Sequence, residues 1–596
     1  MLNQAQQRIA QRILAGIPQG QQLAFTCTQG DGLNVQMKDG HAEICCDSKS
    51  AFARGVFLAA QAVKHGKNEL SLHQTRHFEA CGPMLDMSRG GVMTVASVKK
   101  TIDAMAALGL NLLMLYTEDT YEVPEYPYMG YLRGRYTQAE LRELDDYADE
   151  MGVELVPCIQ TLAHLEQFLQ WQVAAELRDT NECLMIDDAE TYRFIEAEIK
   201  AIRACFRSKR AHIGMDEAHG VGLGRYLEKH GIQDRFELLN RHLTRVVELC
   251  QKYDFKPIMW SDMFFRLGSK TNDYYDVTAI VPDEAIARIP DVALCYWDYY
   301  HQEEAFYDEM IRRHMAMGKE LVFAGGIWTW AGQLPHEKRS LATMEPAMRA
   351  CLKNNVGMVL ATMWEDDGCE TDHLSALSDL PIFSEYCWLG EACTREDIER
   401  MGEWLTNLPR AAYRAMGELF PTAEDIRPGK GYLYCDPLYN LAYGICDMPA
   451  YGASLTAARE LLQAHLDQAD CAFADLLFEI VLAKMKLLST LRDHYLKQDR
   501  AYLEQTAKET LPHLVSLYKR LMQLHRARWE AHYKRNGWET LCLRYGGAMA
   551  RLEDAADELK RYLNGELVKI AELEEEPLPY LRKGGEQYRV FADPKA

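Results

Sequence analysis

Between residues 84 and 364, short apolar runs alternate with stretches of helical periodicity. The runs are 84–87, 111–116, 154–160, 212–215, 257–260, 292–297, 321–328 and 358–364. Runs this short and this apolar read as buried strands, while segments such as 98–108, apolar at spacings of three and four, read as the helices between them. Eight strand–helix repeats predict an α/β fold, a (β/α)8 TIM barrel. The competing arrangement is a doubly wound open sheet, but no Gly-rich phosphate loop follows the first run. The span exceeds the roughly 250 residues usual for such barrels, and long loops after the second and third runs absorb the excess.

The pattern changes on either side. Residues 4–14 have helical spacing, 33–37 alternate, and 51–63 form a helix with an apolar face. Residues 1–76 are therefore expected to be a small N-terminal α/β domain, followed by the barrel at 77–390. Residues 391–596 are expected to form a C-terminal α-helical domain, with long helices at 455–496 and 501–535 and a last one at 548–563 after Arg544-Tyr545-Gly546-Gly547. Heptad spacing is not sustained, which excludes a coiled coil. This domain is expected to buttress the barrel or pair two chains, a homodimer, ahead of walling the cleft.

Composition narrows the partners. The 596 residues carry a net charge of −22, which disfavours nucleic acid and anionic membranes. No run approaches 18 consecutive apolar residues, so no membrane partner is expected. The first residues, Met1 to Arg8, lack a basic stretch before an apolar core, and the 17 scattered cysteines include no Cys-x-x-Cys. Both fit a reducing, cytoplasmic setting. Without His-Glu-x-x-His or clustered ligands, no metal and no cofactor is expected.

In a barrel the chemistry lies where strands end. The fourth run, His212-Ile213-Gly214-Met215, leads straight into Asp216-Glu217. At a strand's end both side chains can reach one pocket, and two carboxylates that close cannot ionise independently. One becomes an acid beside an anion, the division of labour that glycosidic cleavage requires. The other ends supply Asp86, Ser88 and Arg89; Tyr116, Glu118 and Asp119; Gln160 and His164; Trp260 and Asp262; Tyr296, Trp297, Asp298 and Tyr299; Trp328 and Trp330; and Trp364, Asp366, Asp367 and Glu370. Tryptophan faces stack on sugar rings, while carboxylates and arginine take hydroxyls, so a small glycan or oligosaccharide is the expected substrate.

His212-Ile213-Gly214-Met215-Asp216-Glu217 resembles the signature of glycoside hydrolase family 20, the β-N-acetylhexosaminidases. Arg89, His164, Tyr296-Trp297-Asp298 and Trp364-Glu365-Asp366 extend the resemblance, as do the N-terminal module and the helical extension of a branch without secretion signals. The resemblance implies an exo-acting, retaining, substrate-assisted mechanism, in which the 2-acetamido oxygen attacks its own anomeric carbon and forms an oxazolinium intermediate. It implies Glu217 as acid and then base, and Asp216 as acceptor of the acetamido N–H. It also implies Tyr296 as hydroxyl donor to the acetamido oxygen, Trp260, Trp328 and Trp364 as the box around the acetyl group and ring, and Arg89 with Asp366 as the grip on ring hydroxyls. His164, Asp119 and Asp298 complete the expected substrate-binding set, with a buried, hydrogen-bonded role behind the site as the alternative for His164 and Asp119. The sequence departs from the family where Asp366 stands in place of a more usual Glu, which leaves Asp367 or Glu370 as alternative hydroxyl contacts and GlcNAc against GalNAc open. Trp328 and Trp330 also remain alternatives.

Three other readings compete. A retaining β-glycosidase would use a protein carboxylate nucleophile, Asp298 or Glu118. A catalytically silent sugar-binding barrel would keep the tryptophans alone. A metal-dependent hydrolase would draw on His164, His212, Asp216 and Asp262.

Overall fold

The computed structural model describes residues 2–580 and 587–592. Strands β1 (Ala24–Gln29), β2 (Leu33–Lys38), β3 (His41–Cys46) and β4 (Glu69–Gln74) form an N-terminal sheet in the order β1-β3-β2-β4, with β1 and β3 parallel and the other pairs antiparallel. Leu33, Val35 and Met37 of β2 are buried and their neighbours are not, the alternation of a sheet wet on one face. Helix Lys49–Lys64 covers the dry face, and its residues 50–62 are all buried because the barrel closes over its other side. Arg54 in that helix is wholly buried. Its guanidinium donates to both carboxylate oxygens of Glu385 at 2.9 and 2.8 Å, to the Leu108 carbonyl at 3.0 Å and to the Gln74 side chain at 2.8 Å.

Eight parallel strands then close a barrel in chain order: β5 (Ala80–Asp86), β6 (Leu112–Tyr116), β7 (Glu154–Cys158), β8 (Arg210–His212), β9 (Lys256–Trp260), β10 (Ala293–Trp297), β11 (Leu321–Gly326) and β12 (Met358–Met363). Strand β12 returns to pair with β5, Met363 opposite Leu85. Each expected run overlaps a strand. The exception in register is β8, which stops at His212, so most of the expected 212–215 is already turning. Gly214, Met215 and Glu217 have φ of 69°, 74° and 49°. A Cβ on Gly214 would lie 2.0 Å from Gln160 Oε1 and 2.8 Å from the Ile159 carbonyl, so glycine is required there on two counts. This sharp left-handed turn swings the acid pair over the barrel mouth.

The C-terminal region is helical, as its periodicity predicts, but its breaks differ. The expected 455–496 helix is two, Met448–Leu462 and Ala469–Leu496. The expected 501–535 helix contains a π turn at Thr506–Thr510 and ends at His532. Arg544 to Gly547 lie inside helix Trp538–Leu563 instead of preceding a helix, because glycine in a helix costs only about 1 kcal/mol and the buried Leu541, Tyr545 and Leu552 outweigh it. The connection after His532 is bonded to the barrel loops at the mouth: the Thr94 N–H donates to the His532 carbonyl at 2.9 Å, and the His373 N–H to the Tyr533 hydroxyl at 3.0 Å.

Candidate active site

A cavity of about 350 Å³ opens where the strands end, its lining including Arg89, Asp216, Glu217 and Asp366 with a set of tryptophans and tyrosines. That is the small end of ligand pockets, enough for one sugar ring and not for a chain.

Its floor is aromatic. Trp260 and Trp364 lie 6.1 Å apart, centroid to centroid, and are nearly inaccessible from outside. Trp328 and Trp330 stack at 4.3 Å, and the Trp328 indole N–H donates to the Tyr299 carbonyl at 3.0 Å. Both tryptophans therefore line the cavity, so the choice between them dissolves.

The acid pair sits against this floor with different surroundings. Asp216 is 7% exposed and its Oδ1 accepts from Gln160 Nε2 at 2.8 Å. His164 Nε2 lies 3.1 Å from Asp216 Oδ2 and 3.4 Å from Glu217 Oε2, bridging the two. Burial alone would raise the Asp216 carboxyl, but His164, Gln160 and Arg89 overcome it and hold Asp216 down at about 2. Burial disfavours a charged His164, yet the two carboxylates raise its pKa well above the imidazole range. Glu217 is also held below the ordinary range: burial pushes it up, but His164 outweighs burial and the Asp216 anion. These shifts all favour the proton on His164 over either carboxylate, with the three groups titrating together. The Glu217 backbone N–H donates to Asp262 Oδ2 at 2.9 Å. Burial, then the Asp216 anion, pushes the Asp262 carboxyl up to about 8.

Arg89 spans the opposite wall. Its guanidinium lies 3.2 Å from Asp86, 3.6 Å from Glu118 and 3.2 Å from Asp366, donates to the Tyr116 hydroxyl at 3.2 Å, and stacks over the Tyr116 and Trp364 rings. Asp366 has a half-exposed side chain facing the cavity, which leaves it free to meet a ligand hydroxyl.

Other expected site residues stand elsewhere. Tyr296 is fully buried and points away from the cavity. In β10 successive side chains alternate, and Tyr296 packs on His314 and Phe323 and donates its hydroxyl to Asp298 at 2.8 Å. Asp298 also accepts from the Tyr300 N–H, the His301 N–H and His301 Nδ1, so it shapes the turn that carries Tyr299 and Tyr300 and does not line the cavity. Asp119 is buried against Arg133 Nε at 2.9 Å, and it too is outside the cavity. Glu370 is buried in an ion network behind the wall, and Asp367, though on the cavity edge, is held by the same network.

Two of the rival readings lose residues to the same geometry. Glu118 accepts from the Tyr116 hydroxyl at 3.1 Å, and neither it nor Asp298 faces the cavity as a nucleophile would. His212 accepts the Gly214 N–H at 3.1 Å and packs on Trp260, with burial lowering its pKa to about 3. Among the described residues no cluster of His, Cys, Asp and Glu is arranged to hold a metal ion.

Sequence reasoning noted Trp297 and Tyr299 at the sixth strand end without assigning them, and it missed Tyr274, Tyr300, Ile426 and Gln587. Tyr274 bonds His219 Nε2 at 2.8 Å and also engages Glu217. Strand parity, applied one residue further along β10, points to Trp297; no local signal marks Ile426 or Gln587.

The chain matches two family models in the order of its domains: the glycosyl hydrolase family 20 catalytic domain over residues 78–285, and the glycoside hydrolase 20C C-terminal domain over residues 417–592. It is 26% identical to human hexosaminidase D over 190 residues, 29% of this chain and 38% of that protein. It is 25% identical to a beta-hexosaminidase of Porphyromonas gingivalis over 215 residues, 30% of this chain and 28% of that protein. The chain thus aligns with well under half the length of either relative. Among solved structures, a family 20 exo-β-N-acetylglucosaminidase of Vibrio harveyi in complex with N-acetylglucosamine superposes with a TM-score of 0.50 at 16% identity, over 68% of this chain and 72% of that one, a likeness of fold. The closed barrel, the strand-four acid pair at its mouth and two consecutive domain matches agree: the chain belongs to glycoside hydrolase family 20.

Proposed function

We propose that this protein is an exo-acting β-N-acetylhexosaminidase that removes a terminal β-linked GlcNAc or GalNAc by the substrate-assisted route. The observation that carries this reading is the adjacent pair Asp216 and Glu217, bridged by one imidazole over a one-ring aromatic pocket with no second free carboxylate among the expected nucleophiles. Asp216, ionised and buried, suits the N–H of a 2-acetamido group, whose oxygen supplies the nucleophile. Glu217 delivers a proton to the leaving oxygen and recovers one from the incoming water. The tryptophans enclose the acetyl methyl and the ring face, and Arg89 with Asp366 takes ring hydroxyls. Tyr299 and Tyr300, which both line the cavity, replace Tyr296 as the tyrosines of this turn that can meet the acetamido group.

The test is hydrolysis of chromogenic β-GlcNAc, β-GalNAc and β-glucose substrates. Both acetamido sugars should be cleaved and the glucoside at least about 1,000-fold more slowly, since the intramolecular nucleophile is absent from it. Comparable cleavage of the glucoside would overturn the mechanism.

The shared proton gives a pH prediction. In the wild type, kcat/KM should fall on the alkaline side as the proton held by His164 leaves, at a pH well above the free imidazole range. In His164→Phe that proton must sit on Glu217. Without the cation that depresses it, burial and the Asp216 anion raise this carboxyl, but a carboxyl's ordinary value, about 4.3, lies below the imidazole's, about 6.5. The alkaline limb should therefore move to lower pH in the variant. An unmoved limb in the pH–rate profile would count against the shared proton.

A further inference from the structure

The loop after β12 carries Asp366 into the pocket, and the helical region supplies the partners of Asp367 and most of those of Glu370. Asp367, Gly368 and Cys369 have φ of 56°, 98° and 53°, three consecutive left-handed residues, with the Gly368 and Cys369 N–H groups donating to the Glu365 carbonyl at 3.2 and 3.0 Å. Arg544 donates to the Asp367 carbonyl at 2.6 Å, to its Oδ1 at 2.8 Å and to Glu370 Oε1 at 2.9 Å. Lys430, 1% exposed, lies 2.5 Å from Asp367 Oδ2 and 3.0 Å from Glu370 Oε2. The Tyr588 N–H adds a bond to Asp367 Oδ2 at 2.8 Å, and the Tyr434 hydroxyl one to Glu370 at 2.6 Å. These donors all come from beyond residue 417, and Gln587, beside Tyr588, lines the cavity itself.

We infer that the helical C-terminal region builds one wall of the substrate pocket, with Lys430 and Arg544 as positioning residues that fix Asp366 against Arg89, and Gln587 as a direct contact for substituents on that side of the sugar. This rests on the hexosaminidase reading for its substrate. The network explains why Asp367 is not itself the hydroxyl ligand: both its oxygens are occupied, whereas Asp366 keeps a half-exposed carboxylate 3.2 Å from Arg89 Nε. Because Asp366 reaches the ring and Glu217 acts at the glycosidic bond, loosening the loop should weaken sugar binding more than the chemical step.

The experiment compares wild type with Gln587→Ala, Arg544→Lys and Arg544→Gln on the β-GlcNAc and β-GalNAc substrates, with binding of free GlcNAc followed by the fluorescence of the pocket tryptophans. Gln587→Ala, partly exposed and outside the ion network, is not expected to unfold the chain. KM should rise about five- to tenfold in Gln587→Ala and Arg544→Gln, with kcat within about twofold, and the GlcNAc to GalNAc ratio should change. Arg544→Lys, which keeps the charge, should recover part of the loss. Hydrogen exchange over residues 365–370 should quicken in Arg544→Gln and not in Gln587→Ala. Unchanged KM, GlcNAc binding and substrate ratio in a folded Gln587→Ala, or unchanged exchange in Arg544→Gln, overturns the inference. A wild type inactive on both acetamido sugars sinks the hexosaminidase reading instead, and the exchange comparison still decides the positioning role.

Discussion

Glu217→Gln is expected to lower kcat by about 1,000-fold on glycosides with an unactivated alcohol leaving group, with KM little changed. The amide fills the same volume, and the Glu217 backbone N–H keeps its bond to Asp262, so the fold and the pocket survive. What is lost is the proton for the departing oxygen. Aryl glycosides, whose leaving groups need less help, should lose far less, and the gap between the two substrate types is the signature of a missing acid. Steady-state kinetics on a disaccharide and on a nitrophenyl glycoside measure it. Equal losses on both would assign Glu217 a binding role.

The second large effect is on stability. Arg54→Ala is expected to cost about 3–5 kcal/mol, because it strands Glu385, 2% exposed, in the seam between the N-terminal helix and the barrel. The Leu108 carbonyl and the Gln74 amide lose their donor in the same step. Replacing both partners by methionine leaves no uncompensated charge, so Arg54→Met with Glu385→Met should be less damaging than Arg54→Ala alone. Thermal denaturation of the wild type, both single variants and the double gives the coupling as a cycle. A double variant as unstable as the sum of its singles would show that the pair does not act as a unit.

The barrel was legible in the chain because its fully buried parallel strands are written as short apolar runs, and their ends marked Arg89, Asp216, Glu217, Trp260, Trp328, Trp364 and Asp366 as neighbours. His164 was expected to bind substrate, whereas it bridges Asp216 and Glu217 and is not among the residues that line the cavity. Tyr296 misled for a definable reason. A strand end names a position on the rim, but side-chain parity decides whether it faces in, and β10 puts Trp297 inward and Tyr296 among helices. Asp119 and Asp298 misled because a buried carboxylate near a site and a carboxylate of the site are spelled alike. The helical wall was illegible for another cause. Lys430, Arg544 and Gln587 converge on one loop from segments far apart in the chain, and nothing local records that convergence.

The seam between β12 and β5 also sets a schedule for synthesis. The Glu365 N–H donates to Asp86 at 3.1 Å and the Gly91 N–H to Glu365 at 2.7 Å, so the last strand laces onto the first across some 270 residues of chain. Until β12 leaves the ribosome, β5 has an open edge and the barrel stays unclosed, a long-range closure of the kind that folds slowly and exposes strands to wrong partners. A nascent chain halted before residue 358 therefore carries Asp216 and Glu217 but lacks Trp364 and Asp366, which complete the pocket around them.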